Sequence, residues 1–226
     1  MVIAKLGTPV RRIEDDRLIT GRGKYVDDVK LNGMLHVALV RSPHAHALIK
    51  NIDVSAAAAL PGVETIFTGA DLQEQLGSLP AGWTIKDMIA PPHPPIAFEK
   101  VRVVGDAVAA VVAVDAATAA DAAQLVDVTY EVLPAVVDAE KATKPGAPQL
   151  HEESADNVAF NWDVHGGDYA AAAKTAEVVV KQRIINQRLI PNSMEARGVV
   201  ADYDMGTEHL TIYSSTQIPH LMRLLF

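Results

Sequence analysis

Short apolar runs broken by Gly, Pro and acidic residues recur along the chain and predict strands alternating with small-residue helices. Residues 35–40 (Leu-His-Val-Ala-Leu-Val) form one buried strand and 48–52 a second. Asp53 then opens an Ala-rich helix that Pro61-Gly62 ends. Residues 63–68 alternate as a third strand, and Asp71 follows as a cap in a turn. The most hydrophobic run, 101–114, is split by Gly105-Asp106. Its part 108–114 is too short to span a bilayer and too rich in Val for a helix, so it predicts a central strand. Asp115 caps a helix over 116–125 whose small residues permit close approach to a sheet, and 126–132 alternate cleanly as a half-buried strand. Past a change of composition, 158–164 and 177–185 read as strands on either side of a short helix at 169–174. Residues 199–203 and 210–214 read as a hairpin turning at Asp204-Met205-Gly206-Thr207.

Composition narrows the class. The 226 residues are 49% apolar and 21% charged, an ordinary globular balance with room for one large or two medium domains. A net charge of −8 opposes a nucleic-acid partner. The clustered cations Arg11, Arg12, Arg22 and Lys24 are interleaved with Glu14, Asp15, Asp16 and Asp27, so no basic stripe forms. Cysteine is absent, which excludes disulfides, thiolate metal sites and cysteine nucleophiles within this chain. Neither a signal-peptide run nor a membrane span is read, and a cytoplasmic protein is expected. The shift to Lys, Pro, Gly and acids after Asp138 predicts a linker.

Candidate chemistry is sparse. No Gly-rich phosphate loop separates a strand from a helix, which disfavours a dinucleotide fold. His44 and His46 are two apart, as on one face of a strand, but Pro43 breaks regularity and no third ligand stands near. A structural turn is the better reading, and no metal ligand is assigned. The Gly- and Pro-rich stretch 77–97 predicts a long surface loop in which Trp83 either anchors a partner or packs back. The hairpin's second strand delivers a polar tip, Ser214-Ser215-Thr216-Gln217, before Pro219.

These pieces together resemble the molybdenum-binding large subunit of the xanthine dehydrogenase / aldehyde oxidase / carbon monoxide dehydrogenase family. The matching stretches include Gly7-Thr8-Pro9, 21–28 (Gly-Arg-Gly-Lys-Tyr-Val-Asp-Asp), 40–53 with Arg41-Ser42-Pro43-His44-Ala45-His46-Ala47, and 60–68. They continue through 101–114, 128–136, Met194-Glu195-Ala196-Arg197-Gly198 and 214–220. The resemblance implies an α+β fold: an N-terminal arm over 1–20, an α/β-hammerhead domain over 21–140, a linker over 141–157, and over 158–226 the incomplete, truncated start of a first molybdopterin-binding domain. It implies oxidation of an aldehyde, an N-heterocycle or carbon monoxide with water-derived oxygen at a molybdenum–molybdopterin cofactor. FAD and 2Fe-2S clusters are expected on partner subunits, an iron–sulfur subunit and an FAD subunit, alongside the remainder of the large subunit.

Within that resemblance Ser214-Ser215-Thr216-Gln217 is similar to the segment whose Gln approaches an oxo ligand of the molybdenum, so Gln217 is the expected cofactor-binding residue. A neutral amide suits that role because it donates a hydrogen bond without adding charge. Glu195 is expected to pair with an Arg or a backbone N–H, since a buried carboxylate needs partners, and His220 reads as a polar residue at a helix start. The family's glycine-rich segment and catalytic glutamate have no counterpart among these residues. No catalytic residue is therefore assigned, and the chain by itself is expected to be inactive. Two alternatives remain open: a non-catalytic hammerhead module that docks partner subunits, and a small metal-binding protein using His36, His44 and His46.

Overall fold

The computed structural model describes Gly7, Pro9 and residues 11–225; of the arm expected over 1–20, residues 1–6, 8 and 10 lie outside the described residues, as does Phe226. In chain order the elements are α1 (Asp15–Ile19), β1 (His36–Arg41), β2 (Ala47–Asp53), α2 (Ser55–Ala58), β3 (Val63–Thr68), α3 (Gly69–Leu72), β4 (Lys100–Val101) and β5 (Ala107–Ala113). They continue with α4 (Ala116–Gln124), β6 (Asp127–Val132), α5 (Ala139–Ala142), α6 (Tyr169–Thr175), β7 (Val199–Asp204), β8 (His209–Ser214) and α7 (Pro219–Leu225). The chain divides into two compact units, Met34–Glu177 on one side and Met1–Gly33 with Val178–Phe226 on the other. Among the described residues no helix is long and apolar enough to cross a membrane.

The unit 34–177 holds two antiparallel three-stranded sheets, ordered β1-β5-β3 and β4-β2-β6. The apolar run read as a central strand is β5, flanked on both edges; Ala110 lies opposite Leu39 of β1 and Phe67 of β3. A strand covered on both faces can be apolar throughout. Val108 and Val111 stand an odd number of positions apart, so they point to opposite faces. Accordingly Val108 packs with Ala47, Ala97 and Val101, whereas Val111 packs with Ala57, Ala122 and Val126.

Helix α4 begins where Asp115 accepts the Thr118 N–H at 2.8 Å, and its buried Ala119 and Ala122 let it lie close against β1 and β5. Gly69, the first residue of α3, is required by proximity. A Cβ there would stand 2.4 Å from the Ala97 carbonyl oxygen, too close for any side chain.

The stretch 141–157, expected as a linker, is tied to this unit by side chains. Asn157 adopts a left-handed φ of 57°, which Asn tolerates better than most residues. Its amide donates to the carbonyls of Ala142 and Pro148 at 2.9 Å each and accepts the Leu150 N–H at 3.0 Å. Arg102 donates to the Leu150 carbonyl at 2.8 Å and pairs with Glu152 at 2.8 Å, and Lys100 pairs with the same carboxylate. Trp83 packs edge-on against Trp162 with ring centroids 5.3 Å apart while staying well exposed. The strands expected over 158–164 and 177–185 do not form; both stretches run without ladder pairing. Neither has a neighbouring strand to accept its backbone groups.

In the unit containing 178–225, β7 and β8 pair antiparallel from Val199↔Ser214 to Asp204↔His209. The Asp204 carboxylate closes the turn by accepting the Gly206 N–H at 2.8 Å and the Thr207 hydroxyl at 2.9 Å. Residues 25–28 form a 3₁₀ turn in which Asp28 accepts the Tyr25 N–H at 2.8 Å.

Candidate functional site

The polar tip leaves β8 at Ser214 and reaches α7 at Pro219, five residues later. Its geometry is set by hydroxyls. The Ser215 hydroxyl accepts the Gly198 N–H at 3.0 Å and donates to the Ala196 carbonyl at 3.1 Å, while the Ser215 N–H donates to the Gly198 carbonyl at 3.2 Å. The Thr216 hydroxyl accepts the Ile218 N–H at 3.1 Å, a short ST-turn that delivers the chain into α7. Between them Gln217 sits on a bend with its side chain exposed. Its amide makes no hydrogen bond among the described residues, so both donor and acceptor face outward. The loop's backbone is thus held by Ser215 and Thr216, and Gln217 carries no part of that load.

Glu195 finds one of the partners expected of it. Its Oε1 accepts the Val26 N–H at 2.9 Å and joins the 3₁₀ turn at Val26–Asp28 to the base of the hairpin. Gly198 permits the approach, since a Cβ there would stand 3.2 Å from Val26 Cγ1. Beside this contact lies an open cleft of about 570 Å³ whose lining includes Lys24, Tyr25, Lys30, Glu195, Tyr213 and Ser214. Gln217 is not on its wall. The cleft and the free amide are two separate features of one unit.

The other residues singled out from sequence are engaged elsewhere. The buried His46 places Nδ1 2.8 Å from the Pro134 carbonyl, and His44 stacks edge-on against Tyr130 with centroids 5.0 Å apart. Among the described residues no group of three His, Cys, Asp or Glu side chains is placed to hold a metal. His220 lies exposed in the first turn of α7. Sequence reasoning missed the two-way clamp made by Ser215. The signal was available in a hydroxyl residue one step past a strand end, opposite a glycine on the paired strand's approach.

Two antiparallel sheets with a small-residue helix on one of them, followed in the chain by a hairpin and a hydroxyl-clamped loop, define an α+β protein of hammerhead type. Residues 20–134 match the family described as "Aldehyde oxidase and xanthine dehydrogenase, a/b hammerhead domain", and residues 150–226 match "Molybdopterin cofactor-binding domain". The chain belongs to this aldehyde oxidase and xanthine dehydrogenase family. It is 40% identical to the nicotine 6-hydroxylase large subunit of Paenarthrobacter nicotinovorans, covering 97% of this chain and 27% of that one. It is 41% identical to the carbon monoxide dehydrogenase large chain of Afipia carboxidovorans, covering 96% and 28%. The crystal structure of quinoline 2-oxidoreductase from Pseudomonas putida 86 superposes with a TM-score of 0.88 at 41% identity, covering 97% of this chain and 28% of that chain. The chain thus spans about a quarter of the length of these relatives.

Proposed function

We propose that this chain is part of the catalytic large subunit of a molybdenum hydroxylase. On this reading residues 21–140 serve as its hammerhead domain and 158–226 open its first molybdopterin-binding domain. The molybdenum–molybdopterin cofactor, when bound, supplies the two-electron oxidation of an aldehyde, an N-heterocycle or carbon monoxide with oxygen taken from water. Gln217 is the residue of this chain that holds it, by donating from its amide nitrogen. The observation that carries this assignment is the free, exposed amide of Gln217 beside two hydroxyls, those of Ser215 and Thr216, that are already committed to the loop's backbone. A neutral donor with no competing partner fits an electron-rich cofactor group and adds no charge to it. Ser215 and Thr216 act as positioning residues: they fix the backbone from which the amide projects.

The remainder of the large subunit, an iron–sulfur subunit and an FAD subunit are the partners this reading requires, and the chain alone is inactive. The test is Gln217→Ala in the assembled enzyme. Turnover should fall by roughly tenfold or more, the scale for loss of a group that orients a metal site. The thermal unfolding midpoint should not move, because Gln217 contributes no hydrogen bond to the fold. An unchanged rate would remove Gln217 from the site. Metal analysis of the copurified complex tests the wider reading. Molybdenum with iron and flavin supports it, whereas a metal-free, stably folded chain with docked subunits would favour the non-catalytic hammerhead module. That second reading draws on the unit 34–177, which holds all the buried apolar side chains among the described residues.

A further inference from the structure

We propose that Glu195 is a positioning residue for the loop that carries Gln217, bracing it against the 3₁₀ turn Val26–Asp28 that lies 169 positions earlier in the chain. The inference rests on the reading of Gln217 above and adds what holds the support of its amide still.

That support is a segment without regular structure. Residues 194–198 lie in no helix or strand, and the β7–β8 ladder starts only at Val199↔Ser214. The Ser215 hydroxyl grips the segment at the Ala196 carbonyl and the Gly198 N–H. Those bonds hold the loop no more firmly than residues 196–198 are themselves held. Just before the grip, the Ser193 hydroxyl donates to the Glu195 carbonyl at 2.6 Å, and Glu195 Oε1 accepts the Val26 N–H at 2.9 Å. The bond to Val26 reaches outside the hairpin and its approach, and so ties the segment to a separate part of the chain.

The turn is suited to serve as the anchor because its own bonds close it. The Asp28 N–H donates to the Tyr25 carbonyl and the Val29 N–H to the Val26 carbonyl, each at 3.0 Å, while the Asp28 carboxylate accepts the Tyr25 N–H at 2.8 Å. Val26 opens the turn, where the first N–H groups have no partner within a helix. Glu195 supplies one. A backbone N–H that donates to a carboxylate makes a bond roughly twice as strong as a neutral pair. The Glu195 carboxylate pairs with no cation among the described residues, so the bond to Val26 is the engagement it has. Val26 Cγ1 also fills the space that a Cβ at Gly198 would need, 3.2 Å away. One residue of the turn therefore abuts both ends of 195–198, its N–H at Glu195 and its side chain at Gly198.

Amide exchange in this chain reads the brace, and turnover of the assembled enzyme reads its consequence. Glu195→Ala should speed exchange of the Gly198 and Ser215 N–H groups roughly tenfold. The ladder amides between Ala201 and Asp204 should keep their rates, showing that the hairpin still folds. Val26→Pro should act like Glu195→Ala. Tyr25 is extended with ψ at 167°, which suits the residue before a proline, and the first helical position tolerates a missing N–H. The two substitutions together should do no more than either alone, because both remove the same bond. Glu195→Gln keeps an oxygen that accepts the Val26 N–H and should hold exchange within about twofold of the parent chain. In the assembled enzyme Glu195→Ala should lower kcat roughly fivefold at unchanged KM, by misplacing a group that touches the cofactor rather than the substrate. Added to Gln217→Ala it should cause no further loss, because the brace acts through that amide.

Unchanged exchange at Gly198 and Ser215 in Glu195→Ala would overturn the proposal. So would a full further loss of turnover when Glu195→Ala is added to Gln217→Ala, since Glu195 would then act independently of the amide. Turnover unchanged in Gln217→Ala, with exchange still faster in Glu195→Ala, defeats the reading of Gln217 and leaves the brace standing.

Discussion

The two units are built from the same kinds of residue and reach opposite ends. In 34–177 the apolar side chains converge. Val108, Val111, Ala113 and Ala122 are sealed between sheets and helices, and even the polar connection 141–157 is tied down by Asn157 and Arg102. In the unit containing 178–225, Val, Ile and Leu are just as frequent but lie on a two-stranded ribbon and a segment without ladder pairing, and none of them is fully buried. A hydrophobic pattern specifies a strand only when something supplies its other face and edge. Within one chain the first unit has that supply and the second lacks it.

The sharpest way to break this comparison is to place the same charge in each unit. Val111→Asp puts an unpaired carboxylate at a fully buried position between Ala57, Ala122 and Val126, and should cost more than about 4 kcal/mol. Val180→Asp changes a side chain that is already in water and should stay within about 0.5 kcal/mol. Both tryptophans, Trp83 and Trp162, belong to the first unit, so their fluorescence during urea unfolding reads its stability directly. Equal losses from the two variants would mean that the units do not differ as described.

Asn157 sharpens the comparison at a smaller scale, because it shows how the first unit recruits a stretch whose composition reads as linker. Asn157→Ala removes three hydrogen bonds and leaves two half-buried carbonyls and the Leu150 N–H unmatched, at about 2 kcal/mol. Asn157→Gly keeps the left-handed backbone and loses the same bonds, so the difference between the variants sets the cost of a Cβ at a φ of 57° against the extra backbone freedom that Gly loses on folding. If Asn157→Ala leaves the tryptophan-detected transition where it was, 141–157 is a linker in behaviour as well as composition.

The same comparison explains what the sequence disclosed. The strands that became β1, β2, β3, β5 and β6 were legible because their partners lie within the same stretch of chain, and local alternation then agrees with the final burial. Asp115 was legible as a cap because capping is a contact with the next turn, seen at Thr118. Residues 158–164 and 177–185 carried an equally good pattern and formed no ladder, since periodicity records what a segment can pair with and is silent on whether the partner is present. At the loop, Gln217 stood out by its resemblance to a known segment. The division of labour between Ser215, Thr216 and Gln217 depends on Gly198 and Ala196, which come near only once the hairpin has folded.

Acid should separate the units last and least. Glu152 is held down to about 2, first by the hydrogen bond from Lys100, then by one from its own backbone N–H and then by that from Arg102, against an ordinary carboxyl near 4.5. The His151 imidazole is also pushed below its ordinary value, by burial first and by the neighbouring Arg102 cation second. Its Nδ1 is buried with no partner among the described residues, so protonation there would strand a charged N–H. Both groups bind protons less readily folded than unfolded, so both stabilise the fold at higher pH and lose that contribution as pH falls. The loss from His151 begins below the ordinary imidazole range near 6.5, and that from Glu152 follows as pH falls from about 4.5 towards about 2. Both residues sit in the stretch 141–157, so the tryptophan-detected Tm should decline in two stages. His151→Leu should flatten the first and Glu152→Gln the second, whereas amide exchange across β7–β8 should respond to neither substitution. A hairpin that followed the same two stages would show that the second unit shares the first unit's cooperativity, and the contrast between them would fail.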